Sequence, residues 1–198
     1  MIRISKAVRI VLAIVAFSAY ALAVGKPSAD VEPLVTIREA PEHVVLYTLY
    51  RGPYDGVGAA IGRLYALLGS KGLTPKGSLS FSYLNNPDRW AKEHWLTEIS
   101  VPVDREALKL TGTLGDFTDV KVVSAATLVV AAKPAGMADP SVIYRALIVW
   151  VAEHDVYEPL EGPCEVFPAS VSGSYESMQT EIMIPVTRQP EPEGKQDS

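Results

Sequence analysis

Two stretches of the chain, 83 residues apart, carry nearly the same sequence. Residues 97–103 read TEISVPV and residues 180–186 read TEIMIPV. Both are rich in β-branched residues, which favour strands. Other matches keep almost the same spacing: Arg63 and Arg145 are 82 residues apart, and Pro75 and Pro159 are 84 apart. So small a drift indicates an internal duplication, and a duplication limits the fold to two copies of one unit.

Each copy predicts the order strand, helix, strand, strand. In the first copy an apolar strand at 44–50 is followed by a turn at 51–56 and a helix from Val57. In the second copy a strand at 127–132 precedes a helix from Val142. Both helices have apolar residues at helical spacing. The sequence therefore predicts an α+β domain that duplicates a β-α-β-β unit, with a mainly antiparallel sheet and two helices on one side.

Alternation along the two similar strands places one carboxylate on each. Ile182 and Ile184 share a face, which we expect to pack against the helix layer. Glu181 then points to the other face, and Glu98 occupies the same place in the first copy. Most strand glutamates are exposed to solvent, so these two are either surface residues or part of a binding cleft.

The first 23 residues have the pattern of a signal peptide. Three basic residues precede an apolar run, and residues 21–23 read ALA, a small-x-small cleavage sequence. The run is shorter than the ~20 apolar residues that span a bilayer. We expect export to the periplasm or the extracellular space, with an N-terminal membrane anchor as the alternative. Residues 24–33 are predicted to be a linker, and residues 189–198 a disordered tail.

Charge and side-chain inventory exclude several functions. The chain has a net charge of −5, and without residues 1–23 it has 15 basic and 23 acidic residues, or −8. Nucleic acid is therefore not an expected partner. Cys164 is the single cysteine, so an intramolecular disulfide cannot form. The three histidines lack metal-ligand spacing, and the glycines at 56–62 do not match a dinucleotide loop, so we predict neither metal nor cofactor.

Four motifs in order resemble those of the GyrI-like family of small-molecule-binding domains, found also as effector-binding domains of regulators such as BmrR and Rob. They are YRGPY at 50–54, LTPKG at 73–77, YLNNP at 83–87 and TEIMIPV at 180–186. The resemblance covers residues 34–188, with units at about 34–104 and 117–188. It implies a SOUL-like fold in which the two units enclose a central ligand cleft.

The resemblance also implies a set of ligand-binding residues. Glu181 matches the family's cleft glutamate, and Glu98 is its counterpart in the first unit. The aromatic residues expected to line the cleft are Tyr47, Tyr54, Tyr83 and Trp95. Aromatic residues more often belong to the core, which is the alternative for these four.

Three functions are compatible with this pattern. The first is an exported protein that captures amphipathic aromatic, chiefly cationic, compounds by stacking and by attraction to Glu181. The second is a hydrolase of small electrophilic compounds, with Glu181 as general base, because some GyrI-like proteins have this activity. The third, an antagonist of a cytoplasmic protein, is disfavoured by the export signal.

Overall fold

The computed structural model describes residues 33–87, 89–137, 139–168 and 177–189. The predicted signal peptide, nearly all of the predicted linker and most of the predicted tail lie outside these residues. The strands are β1 (Val35–Ala40), β2 (His43–Arg51), β3 (Ser80–Tyr83), β4 (Leu96–Val103), β5 (Thr118–Val123), β6 (Ala126–Lys133), β7 (Tyr157–Pro159), β8 (Cys164–Val166) and β9 (Thr180–Arg188). The α-helices are α1 (Val57–Ser70) and α2 (Ser141–Glu153), and neither has the length and apolar character that crossing a membrane requires.

The strands form one curled sheet in which every described pairing is antiparallel. The order is β1-β6-β9-β8-β3-β4-β2-β5, with β7 also paired to β9. In the middle of the sheet, the first half (residues 34–104) supplies β3, β4 and β2, and the second half (residues 117–188) supplies β6, β9 and β8. The halves meet where β3 pairs with β8, and also towards the two edges, where β1 pairs with β6 and β5 pairs with β2. The predicted α+β class with a mainly antiparallel sheet is therefore confirmed.

Both helices pack on the same face of the sheet. The apolar side of α1, which includes Leu64 and Leu68, contacts the alternate buried residues of β2 and β4. The apolar side of α2, which includes Leu147 and Ile148, contacts Ile182 and its neighbours on β9 and β6. Burying this many aliphatic side chains, at about 25 cal/mol per Å² of apolar surface, is the main stabilising contribution to each half. It also identifies the helix side of the sheet, the side to which Ile182 and Ile184 point.

The hydrogen-bond register is equivalent in the two halves. Tyr47 of β2 lies opposite Ser100 of β4, and Val130 of β6 lies opposite Met183 of β9, so each pair is shifted by 83 residues from the other. The β3–β8 pairing is centred on Phe81 and Glu165. This arrangement supports the internal duplication, which stays a prediction.

Candidate functional site

A cavity of about 640 Å³ lies on the helix side of the sheet, where the two halves meet. The first half contributes Tyr54, Asp55, Val57, Gly58, Ile61, Leu79, Phe81, Tyr83 and Pro87, and the second half contributes Pro140, Tyr144, Phe167 and Met178. The volume and the mostly apolar, aromatic walls are typical of sites for drug-sized molecules. The starts of both helices form its upper walls, and β3 forms its floor.

A tight turn before α1 holds Tyr54 in the cavity wall. The Tyr50 hydroxyl donates a hydrogen bond to the carbonyl oxygen of Pro53 at 2.8 Å. A Cβ atom at position 56 would collide with that hydroxyl, so Gly56 cannot carry a side chain without displacing Tyr50. The YRGPY motif therefore fixes where the Tyr54 ring stands at the entrance of the cavity.

The Trp95 indole supports Tyr54 from outside the cavity. The two rings have centroids 4.5 Å apart, and Tyr54 also meets the edge of the Tyr83 ring at 5.5 Å. The indole N–H of Trp95 donates to the carbonyl oxygens of Trp90 at 2.9 Å and Pro87 at 3.2 Å. Because Pro87 lines the cavity, Trp95 connects the loop between β3 and β4 to the aromatic wall.

A fully buried carboxylate lies behind the cavity wall, next to Tyr83. Glu165 is 0% exposed and stands directly opposite Phe81 in the β3–β8 pairing, so it faces the helix side. It accepts a hydrogen bond from the Tyr83 hydroxyl at 3.1 Å and another from the Thr180 hydroxyl at 2.5 Å. Buried carboxylates are stable only when such donors are present. Tyr83, which lines the cavity, thus links it to Glu165.

Two of the six predicted site residues, Tyr54 and Tyr83, line this cavity, and Trp95 contacts Tyr54. Glu181 lies on the other face of the sheet, as alternation predicted. There its carboxylate pairs with Arg38, whose guanidinium nitrogens approach it at 2.7 and 3.3 Å. The hydrogen bond to Glu181 raises the pKa of Arg38. The Glu181 side chain is 43% exposed, so this ion pair is of the surface kind.

Glu98 and Tyr47 are brought together on the same outer face. The Lys121 ammonium lies 2.7 Å from the Glu98 carboxylate and 4.9 Å from the centre of the Tyr47 ring. The Glu98 side chain is only 11% exposed, because neighbouring strands enclose it. This cluster does not line the helix-side cavity. The ligand-binding roles of Glu98, Tyr47 and Glu181 stay predictions.

Sequence reasoning missed Glu165, Tyr144 and Phe167 as site residues. Strand β8 has three residues, too few for alternation to show that Glu165 faces the core. Tyr144 lies among the apolar residues of α2 and is 5% exposed, so only the neighbouring sheet reveals that its ring borders a cavity. One available signal was the spacing of Glu165 and Phe167. Residues two apart on an extended chain point to the same face, so a carboxylate and an aromatic ring share one face there.

Cys164 lies on the opposite face from Glu165, beside Ser82 of β3. Desolvation raises the pKa of its thiol to about 12, and the nearby Glu161 carboxylate adds to the shift. The thiol is therefore protonated at neutral pH and is a poor nucleophile. Within the described ranges, no group of three or more histidine, cysteine, aspartate or glutamate residues could hold a metal ion.

Known proteins resemble this chain in fold. EcmrR in a complex with DNA has a TM-score of 0.65 at 17% identity, over 93% of this chain and 68% of that one. The C-terminal domain of EcmrR has a TM-score of 0.62 at 19% identity, over 79% of this chain and 98% of that one. A hydrolase from Listeria innocua has a TM-score of 0.54 at 14% identity, over 77% and 91% of the two chains.

No curated protein matches the sequence significantly. A family model does match it: residues 14–104 match that of the GyrI-like small molecule binding domain. The match contains YRGPY, LTPKG and YLNNP, three of the four motifs that carry the resemblance. It also contains α1 and the loop of Trp95, which build one side of the cavity. The resemblance to the GyrI-like small molecule binding domain family is therefore confirmed over residues 14–104.

Proposed function

We propose that this protein is exported and captures amphipathic aromatic compounds in the helix-side cavity. One observation carries the proposal. The cavity has mostly apolar, aromatic walls that include Tyr83, whose hydroxyl is hydrogen-bonded to the buried Glu165 carboxylate. An aromatic ligand would stack on Tyr54, Tyr144 and Phe167, three of the aromatic rings that line the cavity. Its polar group would lie over Tyr83. The family match supports ligand binding in general.

The nature of the walls supports an aromatic ligand over an aliphatic one. Tyr54 meets Tyr83 edge-on and overlaps Trp95 in a tilted arrangement, so its ring is held in place. Phe81 and Phe167 form a second aromatic pair, with centroids 4.5 Å apart, at the floor. Fixed rings bind planar ligands at low entropic cost, since few side-chain rotamers are lost.

Two glycines of α1 allow a direct test of the cavity. A Cβ atom at Gly58 or at Gly62 would have no neighbour within 4 Å, so both positions accept a side chain. Only Gly58 lines the cavity. We expect Gly58→Leu to weaken binding of the neutral dye Nile red at least tenfold and Gly62→Leu to leave it unchanged, as measured by fluorescence titration. Equal affinities of both variants and the wild type would show that the dye binds elsewhere.

Hydrolysis is a second candidate function. The Tyr83 hydroxyl stands between the cavity and Glu165, so a proton taken from a water molecule there could pass to the carboxylate. A Listeria innocua protein of the same fold is a hydrolase. The sequence-based expectation gave the base role to Glu181, which pairs with Arg38 on the other face. Mass spectrometry of an electrophilic aromatic compound incubated with the protein tests this, because hydrolysis adds the mass of one water, in a single ring-opened product or shared between two fragments.

Export is proposed from the sequence of residues 1–23 alone. The acidic balance of the remaining residues supports a role without nucleic acid. The DNA in the EcmrR complex is a partner of that protein. For this chain we propose a small aromatic compound as the partner and no stable insertion in the membrane once the signal is removed.

A further inference from the structure

Lys133, at the end of β6, is a second fully buried charged residue on the helix side. Like Glu165, it is 0% exposed. Its ammonium donates a hydrogen bond to the carbonyl oxygen of Met178 at 3.0 Å, and Met178 lines the cavity. A buried ammonium is costly unless it is hydrogen-bonded and balanced by opposite charge. Lys133 therefore brings a positive charge beneath the cavity wall.

The strand register connects Lys133 to Glu165 through one residue. Lys133 lies directly opposite Thr180, so the two side chains share the helix side of the sheet. The hydroxyl of Thr180 donates to the Glu165 carboxylate, which in turn accepts from Tyr83. A positive and a negative side chain thus lie on the two sides of Thr180, both removed from water, beneath one cavity.

We propose that Lys133 sets the charge class of the ligand, so that the cavity takes neutral or zwitterionic aromatic compounds in preference to permanent cations. This inference rests on the proposed function, since it concerns the ligand of the same cavity. A cation above Tyr83 is attracted by Glu165 and repelled by Lys133, and because both groups are buried, water screens these interactions less than it would at the surface. The two effects oppose each other. A neutral ligand avoids the loss of hydration that a cation suffers on entering.

Two probes of the same shape isolate the charge. They are naphthalenes that carry a trimethylammonium group or a tert-butyl group at position 2, and their intrinsic fluorescence reports binding. We expect the wild type to bind the neutral probe more tightly. Lys133→Met should raise the ratio of cation to neutral affinity by about tenfold or more, because it removes a repulsive unit charge from a region of reduced dielectric. Methionine is chosen because an apolar residue of similar length preserves packing.

Glu165→Gln is the reciprocal variant and should lower the same ratio by a similar factor. Lys133→Arg keeps the positive charge and should preserve the wild-type preference. Lys121→Met is the matched control, because Lys121 pairs with Glu98 on the other face and its removal should not change the ratio. Circular dichroism and thermal melting confirm that each variant folds. If Lys133→Met does not fold, Lys133→Gln takes its place, because glutamine removes the charge and keeps a hydrogen-bond donor for the carbonyl oxygen of Met178.

Two results would overturn the inference while leaving the proposed function intact. One is a wild type that binds the cationic probe more tightly than the neutral probe. The other is a ratio that Lys133→Met and Glu165→Gln both leave unchanged within twofold. If neither probe nor Nile red binds the wild type, the proposed function itself fails, and the inference fails with it.

Discussion

The hydroxyl of Tyr83 donates a hydrogen bond at 3.1 Å to Glu165, and so joins the wall of an open cavity to a carboxylate that water does not reach. The two residues come from different halves of the chain, on the strands where those halves meet. A ligand that contacts Tyr83 therefore lies close to a hydrogen-bonded carboxylate to which both halves of the chain contribute.

We expect the Glu165 carboxylate, and not the Glu181 carboxylate, to contribute to ligand binding. Glu165→Gln should weaken binding of the cationic dye rhodamine 6G by about tenfold, because a carboxylate at low dielectric is lost. Glu181→Gln should change that affinity less than about twofold, since its pair with Arg38 is on the outer face and is exposed. Fluorescence titration of both variants measures this. The opposite ranking would return the site to the outer face, with Glu181 as its carboxylate.

The indole N–H of Trp95 should hold the loop between β3 and β4. Trp95→Phe removes the hydrogen bonds to the carbonyl oxygens of Trp90 and Pro87, each worth about 1 kcal/mol. The variant should therefore be cleaved by trypsin after Arg89 and Lys92 several-fold faster than the wild type. Trp90→Phe is the control, because the exposed Trp90 ring can be replaced while its carbonyl oxygen remains. Equal cleavage of both variants would contradict the role of the indole.

Cys164 should make the protein less stable at alkaline pH. Its pKa is raised in the folded state, from 9.0 to about 12, so above pH 9 the unfolded chain releases the thiol proton while the folded chain keeps it. The stabilising contribution is complete below pH 9 and is lost as the pH rises towards 12. Urea denaturation at pH 8 and pH 11 should show a larger loss of unfolding free energy for the wild type than for Cys164→Ala. Equal losses would indicate an accessible thiol with an ordinary pKa.

The proposed export predicts which residue is the first of the mature protein. If the signal peptide is removed after Ala23, N-terminal sequencing of protein from the cell envelope should begin at Val24. Protein that begins at Met1 and stays in the membrane fraction would instead identify an anchor. Replacing Ala21 and Ala23 with bulky residues should block cleavage, since the processing enzyme requires small residues at these positions.

The sequence predicted the fold well because its signal was repeated. Two similar strands, two helices and a constant spacing left few alternatives, and the faces of Ile182 and Glu181 followed from alternation alone. The position of the cavity was harder to predict. The strand pattern and the family resemblance predicted a cleft on the face away from the helices, whereas the described cavity lies between the helices and the sheet. Which face encloses space depends on how far apart two helices sit, and no local pattern encodes that distance.

The burial of the Lys133 charge could not be predicted from the sequence, for a related reason. Lys133 comes at the end of a strand, next to a proline and glycine turn, where a lysine is normally exposed. Its complete burial follows from the register with Thr180 and the chain around Met178, contacts made by residues far apart in sequence. Such contacts are determined by tertiary structure, so composition and periodicity carry no signal for them.

The short β3–β8 pairing has a mechanical consequence. Three residue pairs join β3 to β8 beneath the cavity, against eight between β2 and β4 and six between β1 and β6. A compound held between Tyr54 of the first half and Phe167 of the second adds contacts across this short pairing. Ligand binding in the cavity then stabilises the contact between the two halves, so a rise in melting temperature would report a bound molecule even when its identity is unknown.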